Sequence, residues 1–99
     1  MFELVFTRRA QEELEHLQGA ARHAGPVKQV RKTLGFLRAS PRHPSLQTHV
    51  FRSLEHPYRP SEKVFEAYVQ RQTPAAYRIF WCYGPHKGQI TVIAITPHP

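Results

Sequence analysis

An arginine stands inside an aromatic run, "YRIFWCYGP" from Tyr77 to Pro85, and a histidine stands between two prolines in "ITPHP". Both residue types handle phosphate. Strand alternation puts Arg78 on the face of Phe80 and Cys82, away from Tyr77, Ile79, Trp81 and Tyr83. A permanent guanidinium on so apolar a face needs an anionic partner. Two partners are open to it: Glu66 on the neighbouring strand, in an internal ion pair, or a scissile phosphate held by the bidentate fork of the guanidinium. His98, stiffened by Pro97 and Pro99, has an imidazole suited to hand a proton to a leaving 5′-oxygen. His49, in "PSLQTH", follows a basic segment and can face the same cleft. For each of these two histidines an ordinary surface role is the competing reading. Tyr68 is the one aromatic taken as a contact candidate, able to stack a nucleobase, whereas Tyr77, Trp81 and Tyr83 are expected to pack.

Other chemistries find little support. The 7 histidines include neither a helical i,i+4 pair nor zinc-finger spacing, and every one of the 7 acids is a glutamate, so a metal site is not expected. The single cysteine, Cys82, permits no internal disulfide and is expected to pack. No glycine-rich phosphate loop and no nucleophile motif surrounds Ser40, Ser45, Ser53 or Ser61. No cofactor is expected.

Charge points the same way as Arg78. There are 14 Lys+Arg against 7 acids, and no acid falls between Gly19 and Leu54. Arg22, Lys28, Arg31, Lys32, Arg38, Arg42 and Arg52 all lie in that stretch. Such a surface attracts phosphate backbones through counterion release. Lys28, Arg31, Lys32, Arg38 and Arg42, with Arg71 farther on, are the candidate RNA-binding residues. The start, "MFELVFTRRA", turns charged before an apolar leader can develop, and no apolar run reaches the roughly 18 residues of a membrane span, so a cytoplasmic protein without a membrane partner is expected.

The elements that must position these residues follow from pattern. "FELVFT" reads as a strand, and Thr7 can cap a helix in which Ala10, Leu14, Leu17 and Ala21 recur at helical spacing. After Gly25-Pro26, Val27, Val30, Leu34 and Leu37 form a second stripe. Ser40 to Glu62, rich in proline, reads as a long loop with room for a short strand near Val50. "VFEAYVQ", "AYRIFWCYG" and "ITVIAIT" are three further strands joined by tight connections. At 99 residues the expectation is one α+β domain, 1–99: a helix hairpin packed on one face of a mostly antiparallel four-stranded sheet, in the order β-α-α-β-β-β, with the other face available.

In this order "FELVFT", the helix hairpin, "PRHPSLQTH", "VFEAYV", "AYRIFW" and "TPHP" resemble the RelE/ParE toxin superfamily over nearly the whole chain. The resemblance implies the toxin of a toxin-antitoxin pair. In the RelE-like branch that means a metal-independent, ribosome-dependent messenger-RNA endonuclease using the RNA 2′-hydroxyl as nucleophile. It places Arg78 at the scissile phosphate, His98 near the leaving group and His49 as a loop histidine of the histidine-using branch; in such an enzyme His49 or Tyr68 would assist the 2′-hydroxyl. It also implies messenger RNA, the ribosome and an acidic antitoxin as partners. The sequence departs from the RelE-type pattern at Glu66 and Tyr68, where lysines or a histidine are usual. Two alternatives therefore stand: a ParE-like inhibitor of DNA gyrase that cleaves nothing, and a catalytically silent nucleic-acid-binding member. Codon preference, stoichiometry and oligomeric state are not legible from sequence.

Overall fold

A computed structural model describes residues 1–19, 24–69 and 76–97. Strand β1 (Glu3–Phe6) leads through Thr7 into helix α1 (Arg8–Gln18), and helix α2 (Ala24–Ala39) follows. A 3-10 turn, Pro44–Leu46, precedes β2 (His49–Phe51), β3 (Val64–Tyr68), β4 (Tyr77–Tyr83) and β5 (Gln89–Pro97). The sheet therefore has five strands, in the spatial order β1-β5-β4-β3-β2, and not the expected four. The added strand is β2, the short strand near Val50 for which the sequence left room and which the count of four did not include. Only β1 and β5 run parallel; the other neighbours are antiparallel.

Thr7 explains why β1 turns into α1 at that point. Its hydroxyl accepts from the Ala10 amide (3.1 Å) and donates to the Ile93 carbonyl of β5 (2.8 Å). One short side chain thus caps a helix and ties it to the sheet. Ile93 is the extra residue of a β-bulge, because Trp81 pairs with Val92 while the preceding Phe80 pairs with Ala94.

The helices bury one stripe each. Ala10 and Leu17 of α1, with Val27, Val30, Leu34 and Leu37 of α2, pack on Ala67, Ile79, Trp81, Ile90, Val92 and Ile95 of the sheet. Burial of each large side chain here contributes about 1.5–3 kcal/mol. Lys28, Arg31, Lys32 and Arg38 stay exposed, as the spacing predicts. Among the described residues no helix is long and apolar enough to cross a membrane.

The expectation of a free second face needs correction. A smaller apolar cluster of Val64, Phe80, Cys82, Ile93 and Ala94 occupies part of that face, with Phe51 and Leu54 packed against it. The segment after β2 is pinned over this end by His56, which is 2% exposed. His56 Nδ1 accepts from the amides of Tyr58 (3.2 Å) and Arg59 (3.0 Å), so the proton sits on Nε2, which donates to the Tyr83 carbonyl at 2.9 Å. The proline-rich loop is thus held by a histidine that a count of ligands would have offered to a metal. Burial pushes the Cys82 thiol up to about 11, with the Glu62 carboxylate adding to the effect, as expected of a packed and unreactive cysteine.

Candidate functional site

The register of three strands builds the site. His49 pairs with Glu66 across β2 and β3, and Tyr68 pairs with Arg78 across β3 and β4. Glu66 and Tyr68 are two residues apart, so strand alternation turns both to the helix-free face, together with His49 and Arg78. Sequence order scatters these four residues over thirty positions; the ladder makes them direct and diagonal neighbours.

The contacts follow from that placement. The Arg78 Nε lies 3.5 Å from Glu66 Oε2, and the His49 Nε2 lies 2.5 Å from Glu66 Oε1. One carboxylate therefore bridges two nitrogen groups, of which the Arg78 side chain is 13% exposed and the His49 side chain 44%. The Arg78 guanidinium carbon stands 4.2 Å from the centre of the Tyr68 ring, a cation–π contact, and the His49 ring is 5.4 Å from the same ring. Arg78 Nη1 also donates to the Ala76 carbonyl at 3.3 Å.

Two details bear on chemistry. The Arg78–Glu66 contact is an ion pair without a formed hydrogen bond, for the Arg78 Nε is sealed from solvent and has no hydrogen-bond partner. Its donor capacity is thus not fully used. The second detail concerns His49, whose Nδ1 lies 3.3 Å from the Gln47 carbonyl. Both ring nitrogens face oxygen atoms.

A cavity of ≈ 420 Å³ opens beside the pair, lined by Glu66, Arg78, Phe80, Thr96 and Pro97, with Arg9 among its walls. Arg9 was not singled out from the sequence. It arrives through the parallel β1–β5 pairing, which sets the start of α1 beside the end of β5; Glu13 of the same helix accepts from the Ile95 amide at 2.9 Å. The "TRR" that follows the first strand was the available signal.

Of the residues chosen from sequence, His49, Tyr68 and Arg78 come together on this patch. His98 and Arg71 lie outside the described residues. Lys28, Arg31, Lys32 and Arg38 lie on α2, which packs on the opposite face of the sheet, and Arg42 follows it, exposed. Among the described residues no three His, Cys, Asp or Glu side chains gather as metal ligands.

No family model matches the sequence, nor does any curated protein. Solved structures do. A YoeB/ParE toxin from Agrobacterium tumefaciens superposes with a TM-score of 0.73 at 13% identity, covering 99% of this chain and 100% of that one. The toxin-antitoxin complex RelBE of E. coli gives 0.60 at 17% identity, over 100% of this chain and 99% of that one. The archaeal RelE-RelB complex of Pyrococcus horikoshii gives 0.62 at 12% identity, over 97% and 93%. The five-stranded sheet with its two covering helices has the fold of the RelE/ParE toxins, the superfamily to which the sequence motifs bear their resemblance.

Proposed function

We propose that the chain is the toxin of a toxin-antitoxin pair and that it cleaves messenger RNA on the ribosome, with the RNA 2′-hydroxyl as nucleophile and without a metal ion. The observation that carries this reading is the convergence of His49, Tyr68 and Arg78, from three separate strands, on one open patch next to a cavity.

The reaction asks for three things. The 2′-oxygen forms a bond to phosphorus, the bond from phosphorus to the 5′-oxygen breaks, and negative charge grows on the non-bridging oxygens between. Arg78 supplies positive charge to those oxygens. His49 or Tyr68 takes the proton that leaves the 2′-hydroxyl, while His98 takes the role of acid for the leaving oxygen. The exposed cations Lys28, Arg31, Lys32, Arg38 and Arg42, with Arg71, dock the protein on ribosomal RNA. An acidic antitoxin covers the same positive surface and displaces RNA; the E. coli neighbour is itself a toxin-antitoxin complex.

One observation favours a second reading. Glu66 already neutralises part of the charge of Arg78, as suits a ParE-like gyrase inhibitor that touches no phosphate. Expression of the chain in cells without its antitoxin separates the two. Growth arrest with new transcript 5′ ends supports the nuclease; growth arrest with intact transcripts and broken DNA supports gyrase. Harmless expression of a folded chain contradicts both.

A further inference from the structure

A second cavity, of ≈ 440 Å³, lies on the other side of the β2 edge. Its floor is aromatic. Phe65 stacks on Trp81 with ring centres 4.8 Å apart, and Tyr83, 39% exposed, meets Trp81 edge-on at 5.1 Å. Arg42, Gln47 and Thr48 complete the walls used here, and no acidic side chain is among the described residues that line it.

We infer that this cavity is a second RNA subsite, which seats one unpaired base of the strand being cleaved: the base lies against the aromatic floor, and Arg42 holds the adjoining phosphate. The inference rests on the RNA reading proposed above. Continuity with the first site argues for a nucleic acid as occupant. Thr48 and His49 are consecutive, Thr48 lining this cavity and His49 joining Glu66 on the opposite face, and β2 is an edge strand. A single strand passing over that edge meets both sites, and every base offers a π-face to the rings. The acid-free basic stretch around Arg42 favours a polyanion over an apolar peptide.

Trp81 is the only tryptophan, so its fluorescence reports on this cavity. The probe is a short single-stranded RNA with 2′-O-methyl groups, which cannot be cleaved through its own 2′-oxygen, and its binding is followed separately by anisotropy of an end label. Saturable quenching of Trp81 is expected. Tyr83→Ala and the exposed Arg42→Glu each weaken it about tenfold, while Arg78→Ala requires more RNA and keeps the full amplitude at saturation. Since Arg42→Glu changes an exposed residue, it decides the matter even where Tyr83→Ala fails to fold. RNA binding by anisotropy without change at Trp81 overturns the subsite and leaves the RNA reading standing. Absence of both signals overturns the two together, and quenching by an acidic peptide but not by RNA assigns the cavity to a protein partner instead.

Discussion

The guanidinium of Arg78 rests on the ring of Tyr68, its direct partner across β3 and β4, at 4.2 Å. The ring makes the cation–π contact and the hydroxyl takes no part in it, so the two parts of Tyr68 can be separated by mutation. Tyr68→Phe keeps the cation–π contact and is expected to hold its melting temperature while losing most transcript cleavage. Tyr68→Leu loses both the contact, about 1 kcal/mol, and cleavage. Thermal melts and transcript assays on the two variants check this; full cleavage by Tyr68→Phe removes the hydroxyl from the chemistry.

Glu66 stands between His49 and Arg78 and opposes any phosphate that approaches them. Glu66→Gln is expected to cost about 1–3 kcal/mol of stability, because Arg78 and His49 lose a shared carboxylate. The same change should tighten binding of single-stranded RNA roughly tenfold at low salt and steepen its salt dependence. Unchanged or weaker RNA binding would show that phosphate does not enter near this carboxylate.

Much of this arrangement was legible in the sequence, and particular residues show where legibility ended. Thr7, the helix stripes and the long strands announce themselves through composition and period, because each is a local pattern. Of the two partners the sequence offers Arg78, the structure shows the ion pair with Glu66, made through Nε without a hydrogen bond. What sequence could not supply was register: β2 is three residues long, and only its pairing with β3 brings His49 to Glu66. Arg9 was missed for the same reason, since its place depends on a parallel strand pair formed from opposite ends of the chain. The buried clamp at His56 was invisible because its partners are backbone groups.

That clamp gives a stability test far from the proposed chemistry. His56→Ala leaves two amides and a carbonyl without their partner, at a cost of about 2–4 kcal/mol. For a chain of this size the melting temperature should fall by more than about 8 °C, with cleavage per folded molecule retained. A melting temperature equal to that of the unmutated protein would remove His56 from the packing of the loop.

Cys82 sets the expected pH response of the core. With its thiol pushed up to about 11, only about one molecule in a thousand carries a thiolate at pH 8. An alkylating reagent at pH 8 should leave the native protein unlabelled and modify it once denaturant is added. Native labelling should rise as pH climbs toward 11, because the folded state holds the proton that the unfolded state releases earlier. Fast labelling of the native protein at pH 8 contradicts a sealed second cluster.

The central claim is that Arg78 meets RNA phosphate and is more than one half of an internal ion pair. Its most direct test is the mapping of messenger-RNA 5′ ends in cells that express either the native chain or Arg78→Ala, with the folded state of both confirmed by melting. New 5′ ends and growth arrest from the native chain, both absent with Arg78→Ala, are the predicted result; equal cleavage and arrest from the two proteins contradict it.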